Sequence, residues 1–514
     1  MAKRQISRRF FLSTVAATAA VLTAAPWNGA AQAQALKAGT VRVGLRNDMA
    51  NFDPQQLSTV NFALIKNLYD SLIEYTAEGE AIPSLATEWT IADDYKSVTV
   101  KLRDGIKFHS GTALTAQTIL PTLEKGSKAE TGKNLFPTMG PVESFEAVDD
   151  LTLKLSFKQP VPAKQITDLL QFIIPIDPAV IGELDVKAGG TGPFMLEERQ
   201  VGQSITLVKN PNYWRAGEPV LDKVVFTVFS DDSALAAGLE SDVIDITYMG
   251  TPRSAERLQA AGYNVLLGPG KLMQTFRINS TRAPFTNKKF RQAFHYLMNR
   301  DAMKKLAYAN FGINAALPWA PANPAYDQAV NDAYVYDIEK AKALFAESGL
   351  SQAEMENWKI LTNGGDESVV LISQILQASL EEAGLKIELQ LMQGSEYVDA
   401  QLQGNFDTTF GGVGNVQKFP TRVGTNSIYR PKGNPVLKDP HPHQAYVDAI
   451  ARVESAFGDD VAPAYKALND AILDEAFAIS THTTETGITV ASTKLDGIEL
   501  DIDNVLVLRK AGFK

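Results

Sequence analysis

A chain of 514 residues that is 45% hydrophobic, 21% charged and 9% aromatic has the composition of an ordinary globular protein of about three folding units. The absence of cysteine excludes disulfides, zinc–thiolate sites, iron–sulfur clusters and cysteine nucleophiles together. A formal net charge of −10, with no Lys/Arg run in the body of the chain, leaves no basic footprint for nucleic acid.

Lys3, Arg4, Arg8 and Arg9 open the chain, an apolar stretch runs from Phe10 to Ala25, and the small-residue run Ala33-Gln34-Ala35 follows. Ser13, Thr14, Thr18 and Thr23 interrupt that stretch, whereas a membrane span needs ~20 mostly apolar residues. The three-part pattern predicts a cleavable export signal over residues 1–35. Ser7-Arg8-Arg9-Phe10-Phe11-Leu12 resembles the twin-arginine motif, with Ser13 in place of the usual Lys. The remaining 479 residues carry −14, and no later apolar run approaches spanning length. A soluble, acidic protein of the periplasm is the expected product.

The body of the chain alternates strands and helices. Val41–Leu45 reads as a short strand. Val98, Val100 and Leu102 alternate with polar residues, Asp104-Gly105 turns, and Ile106–Phe108 returns, predicting a hairpin. Leu151, Leu153, Leu155 and Phe157 alternate up to Pro160, and Ile205–Leu207 and Val224–Phe229 read as further strands. Phe290, Ala293, Phe294, Leu297 and Met298 fall on one helical stripe, with His295 beside it as a packed residue. Asp337 is the expected cap of a helix that Gly349 ends, and a helix over Leu371–Ala383 stops at Gly384 before a strand over Lys386–Met392. Linker candidates are Gly189–Pro193, Pro318–Pro324 and Pro431–Pro442.

Motifs for chemistry are sparse. Gly268-Pro269-Gly270-Lys271 lacks the spacer of a phosphate loop and reads as a turn, and Gly411-Gly412-Val413-Gly414 lacks the third glycine of a dinucleotide loop. Neither G-x-S-x-G nor H-E-x-x-H occurs. His441-Pro442-His443 reads as a solvated loop, and the paired acids Asp93-Asp94, Asp149-Asp150 and Asp231-Asp232 as exposed turns. No catalytic residue, metal site or cofactor is expected. Trp319, with the other large rings, suits a cleft that grips a small organic ligand.

Several stretches resemble the family 5 extracellular solute-binding proteins, the peptide- and nickel-type binding proteins of ABC importers. They are Ile82–Trp89 with Asp93-Asp94 and Lys101–Thr112, Gly190–Phe194, Asn210–Trp214, Pro219–Lys223, Phe290–Phe294 with Asn299–Asp301, and Tyr336–Lys342. The resemblance spans about Thr40 to Asp407. It implies an α/β, bilobal periplasmic-binding-protein-like fold (type II, cluster C) with an extra subdomain inserted in lobe 1. Lobe 1 is then expected over 36–79, 190–275 and a C-terminal return at 488–514, the inserted subdomain over 80–189, and lobe 2 over 276–487.

The implied function is capture of a solute between the lobes and delivery to a membrane permease, without chemistry. The alternatives are an α/β hydrolase or a non-transport receptor module of the same fold. The expected partners are a small solute (peptide-like, with an anionic compound or a glycoside as alternatives) and the cognate permease and ATPase. No nucleic acid is expected, and the protein should be a monomer. Peptide-binding members carry an Asp in a Trp-rich segment of lobe 2 that pairs with the peptide amine. The matching stretch here is Gly412–Arg422, with Val413 at the Trp and Asn415 near the Asp. Asparagine offers no full charge to an ammonium, whereas Lys418 and Arg422 favour a carboxylate. Asn415, Lys418, Arg422 and Trp319 are therefore the candidate ligand-binding residues.

Overall fold

Runs of alternating apolar residues build three large sheets, beside three two-stranded ones, in the computed structural model, which describes residues 35–56, 62–424, 441–484 and 488–514. All of the export signal but Ala35 falls outside the described residues, as does most of the stretch Pro431–Pro442. Strand β1 (Thr40–Leu45) starts the first sheet. Strands β2 (Ala86–Ile91), β3 (Ser97–Leu102), β4 (Val142–Asp149) and β5 (Thr152–Phe157) form a separate antiparallel sheet, ordered β2-β3-β5-β4. The chain rejoins the first sheet through β6 (Phe194–Gln200), β7 (Ser204–Lys209), β8 (Lys223–Val228), β9 (Ile246–Gly250) and β10 (Asn264–Leu266). It then builds a third sheet from β11 (Leu272–Ile278), β12 (Lys359–Asn363), β13 (Glu388–Met392), β14 (Thr408–Gly414) and β15 (Ala478–Thr484). Strand β16 (Ile488–Ala491) returns to the first.

The first sheet runs β10-β16-β9-β1-β8-β7-β6, with β1 parallel to both β8 (Thr40 opposite Lys223) and β9 (Val43 opposite Ile246). The third runs β13-β12-β14-β11-β15. Its antiparallel pair β11–β14 spans Leu272 opposite Gly414 to Ile278 opposite Thr408. Each sheet packs its own core, around Val43 and Phe226 in the first, Val100 and Leu153 in the second, and Phe276 and Phe410 in the third. These are mixed α/β lobes in which the chain crosses from first sheet to third at residues 267–271. That lies just before the expected boundary at 275, because β11 is one continuous strand of the third sheet.

The helical periodicity behaves as its apolar spacing requires. Lys288–Leu297 is a helix that buries Phe290, Ala293, Phe294 and Leu297, with the Asn287 side chain accepting from Phe290 N at its start. Ile338–Ser348 is capped by Asp337 and ends at Gly349, whose φ of 70° is a conformation glycine adopts without strain. Glu367–Glu382 leads through Gly384 into β13. His295 is buried and bonds through Nε2 to Leu473 O at 3.0 Å.

Three local expectations need correction. Asp104-Gly105 does turn the chain, but Ile106–Phe108 does not pair with β3. Both edges of β3 are taken by β2 and β5, and Ile106 and Phe108 are buried in the core beside them. Pro318–Pro324 and Gly189–Pro193 are not linkers. Trp319, Ala320 and Asn323 are buried, and at Gly190 a Cβ would lie 2.1 Å from Leu68 O, so that glycine allows a close backbone crossing. The His441–His443 loop is solvated only in part: Pro442 is exposed and His441 half-buried. His443 is buried between Ser280 Oγ, 2.8 Å from Nε2, and Glu475 Oε2, 2.7 Å from Nδ1, and burial above all lowers its pKa to about 4.

Candidate functional site

A cavity of about 1080 Å³ lies between the lobes, at the C-terminal ends of parallel strands from both sheets, the place where open α/β sheets hold ligands. The first lobe contributes Arg46 after β1, Met249 and Gly250 of β9, and the start of the helix Pro252–Ala260. Asp232 fixes that corner, accepting from Thr251 N at 2.9 Å, from Thr251 Oγ1 at 2.8 Å and from Ser254 Oγ. The second lobe contributes Gln274 and Arg277 of β11, Phe410–Gly412 of β14 and the start of the helix Glu367–Glu382. Arg253 and Glu367 form an exposed ion pair of 2.9 Å between the lobes.

Strand β14 forms an open floor here. On one side it pairs with β11 along its whole length; on the other it meets β12 only at Thr408 and Thr409. Beyond Thr409 that second edge has no strand partner among the described residues, and Tyr397 Oη donates to Phe410 O at 3.0 Å. Gly411 keeps the floor low: a Cβ there would lie 2.6 Å from the Arg277 guanidinium. The edge is therefore available to an extended peptide-like backbone.

A smaller cavity of about 270 Å³ lies where the third sheet meets the first lobe and the helix Ala163–Phe172. Lys271 and Asn415, at the outer ends of β11 and β14, line it with Lys66, Arg422, Asp501 and Asp503. The Arg422 guanidinium lies 5.1 Å from the centre of the Phe172 ring. Asn415 has φ 62°, a conformation asparagine tolerates better than most residues, and its carbonyl accepts from Lys418 N at 3.0 Å. That tight turn sends Lys418 inward.

Lys418 is fully buried and pairs with Asp503 at 2.9 Å, also donating to Gln171 Oε1. Asp503 further accepts from Gln417 Nε2 at 2.6 Å and from Gln171 Nε2 at 2.7 Å. Phe419 N donates to Asp168 Oδ2 at 2.8 Å. Three consecutive residues of the second lobe thus reach carboxylates outside it, on the C-terminal segment and on the helix Ala163–Phe172. Burial alone would raise the Asp503 pKa, but Lys418 and Lys271 reverse this and hold it well below the ordinary value. Burial lowers Lys271 to about 8, against the opposing pull of Asp503 and Asp501. Burial raises Asp501, and the neighbouring Asp503 adds to the effect.

Of the sequence candidates, Asn415 and Arg422 line the smaller cavity, and Lys418 lies behind it with its charge already matched by Asp503. Trp319 lines neither cavity. It is buried in the second lobe and donates through Nε1 to Asn469 Oδ1 at 2.7 Å. Its segment has a positioning role instead: Ala320 N and Asn323 Nδ2 donate to Val416 O at 3.0 and 2.9 Å, bracing the 415–419 loop. Sequence reading missed Lys271, Arg277, Asp501 and Asp503. A charged residue opposite a glycine-rich strand is a signal for Arg277; Asp501 and Asp503 carry none until the fold brings them to Lys418.

Residues 80–434 match the family model "Bacterial extracellular solute-binding proteins, family 5 Middle". A glutathione-binding protein of Pectobacterium atrosepticum is 27% identical over 403 residues, covering 77% of this chain and 76% of that one. Among solved structures, the ABC transporter substrate-binding protein CtaP of Listeria monocytogenes superposes with a TM-score of 0.82 at 21% identity, covering 93% of this chain and 99% of its own. The binding protein DppA of Helicobacter pylori, in complex with the peptide STSA, gives 0.72 at 21% identity, covering 93% and 98%. These two structures share the bilobal fold.

Proposed function

This chain belongs to the bacterial extracellular solute-binding proteins of family 5, and on that premise we propose that it captures a small anionic, peptide-like solute between its lobes. It is a binding protein rather than an enzyme, working outside the cytoplasm with the permease and ATPase of an ABC importer. The hydrolase alternative gives way to this family membership. Closure of the lobes would bury the solute, and the closed form would be what the permease accepts.

The observation that carries the ligand class is that both cavities draw walls from both lobes, with the open edge of β14 leading between them. Backbone hydrogen bonds to that edge suit a peptide-like chain, and Arg277, Lys271 and Arg422 suit carboxylates on it. The glutathione-binding relative and the peptide-bound neighbour point the same way. Native mass spectrometry of protein isolated from the periplasm tests the reading. A retained small acid or peptide of unchanged mass after long incubation is expected. A chemically altered compound, or no binding across a panel of acidic peptides, would overturn it.

The proposed route outward is the twin-arginine pathway, on the strength of Arg8-Arg9 followed by Phe11 and Leu12. Replacing Arg8→Lys together with Arg9→Lys should leave an uncleaved precursor in the cytoplasm, seen as a slower band on immunoblots. Normal processing would assign export to another route.

A further inference from the structure

We propose that the unit built on the second sheet is a docking face for the second lobe and grips it when the lobes close. The inference goes beyond solute capture and concerns what holds the closed form.

The chain leaves that unit after the helix Ala163–Phe172, returns to the first sheet through β6, and enters the second lobe at β11. Contacts between the unit and the second lobe are therefore non-covalent and free to break as the lobes swing. The second lobe meets the unit at its helix, at the loop 75–79 and at the β2–β3 turn. At the helix, the carboxylate of Asp168 accepts from Phe419 N at 2.8 Å and from Tyr75 Oη at 2.8 Å. At the loop, Ala322 of the second lobe is buried against Tyr75 and Ile502. Gly79 allows that approach, since a Cβ there would lie 2.6 Å from Ala322 O. At the turn, the Tyr95 ring centre lies 4.6 Å from that of Phe457, a separation at which aromatic pairs attract.

Tyr95 carries the argument furthest. Its backbone N donates to Ala92 O at 2.8 Å, and Ala92 N donates to Ser97 O at 3.0 Å, closing the turn. Its φ is 56°, where a hairpin loop usually places glycine or asparagine and a bulky side chain is an outlier. The bonds that close the turn are backbone bonds and need no side chain at 95. The ring thus strains the hairpin, and its aromatic partner is Phe457, which lies between the helices Gln444–Glu454 and Val461–Glu475 of the second lobe. Strain kept at a contact between two moving parts points to a working position.

Contacts elsewhere between the lobes differ in kind. Phe311 packs in a cluster with Leu258 and Ile488, beside the returning strand β16, and belongs to the hinge. The Arg253–Glu367 pair at the mouth of the large cavity is exposed and therefore weak. The second-sheet unit supplies what these lack, a broad face away from the hinge. A closed form held partly by its own contacts is populated more often, and apparent affinity for a solute rises with that fraction.

The chain has no cysteine, so Glu88→Cys and Arg452→Cys, exposed positions on the two sides of the face, take spin labels without background. Double electron–electron resonance on the exported, extensively dialysed protein reads their separation with no solute added. Tyr95→Gly removes the ring and suits the backbone, so folding is not at risk. It should raise the ratio of open to closed molecules about three- to tenfold, the worth of an aromatic pair. Phe457→Ala should do the same, and the double variant should open little further than either single one. An unchanged distance distribution in Tyr95→Gly, or fully additive effects in the double variant, would overturn the docking face. Because no solute enters this measurement, such a failure leaves capture standing. Opening in Tyr95→Gly beside an empty result from native mass spectrometry would keep the docking face and remove the capture reading.

Discussion

In the smaller cavity, lysine, arginine and aspartate side chains lie under the protein surface, fixed by a loop that reaches from one lobe to the other. In the larger one, the nearest wall is glycine backbone, and the cations Arg46, Arg253 and Lys305 are exposed to solvent. Water and salt weaken the second set of charges far more than the first. On the proposed capture reading, the difference teaches where selectivity would reside. Buried charges penalise a ligand that fails to match them, whereas an open strand edge and exposed side chains accept many extensions.

The sharpest way to break this contrast is Lys418→Met. It leaves Asp503 buried without its cation, and losing one partner of a buried pair costs about 3–5 kcal/mol. Because Asp503 keeps some exposure, the lower end is expected. Urea denaturation should show that loss of stability, and titration should show ligand binding weakened with it. An unchanged midpoint would mean that the cluster does not hold the lobes together.

Next in size is Gly411→Ala in the open region. The new methyl displaces the flexible end of Arg277 rather than backbone, so stability should stay within about 1 kcal/mol while affinity for a carboxylate ligand falls about tenfold. Calorimetry beside a melting curve separates the two effects.

Acid–base behaviour sharpens the contrast further. Lys271, with its pKa lowered to about 8, is charged below that pH and loses its proton above it. A bound carboxylate favours the charged form and raises the pKa. Binding should therefore take up protons above about pH 8, and affinity should fall with rising pH there. Calorimetry in buffers of different ionisation enthalpy measures the uptake, and Lys271→Met should abolish it.

The smallest effect belongs to Arg253→Ala, which removes the exposed ion pair with Glu367 across the mouth of the large cavity. Such pairs contribute at most about 1 kcal/mol, so affinity should change by less than about fivefold, and less still at high salt.

Much of the architecture was legible because its determinants are local. Alternation in Leu151–Phe157, the helical stripe from Phe290, and Gly349 as a stop each act within a few residues. The failures share a cause. The Asp104-Gly105 turn was read correctly, but which strand pairs with β3 depends on β2 and β5, and proximity in sequence did not reveal them. The 415–419 loop shows the same limit. The family resemblance singles out Asn415, Lys418 and Arg422, yet the partner that neutralises Lys418 lies 85 residues further on. In sequence, Trp319 is singled out only as one of several large rings suited to a ligand cleft. Asn469 and the surrounding apolar residues make it part of the interior instead.

Asp501 and Asp503 belong to the final fourteen residues of the sequence, whereas most of the walls they face are translated hundreds of codons earlier. A nascent polypeptide still held by the ribosome therefore has Lys271 and Lys418 but not their counter-charges, and the 415–419 loop gains its anchor on the first lobe only once residue 503 has been made. Clipping before residue 501 would remove that anchor together with Leu506, Leu508 and Ala511, which are buried in the core of the first sheet.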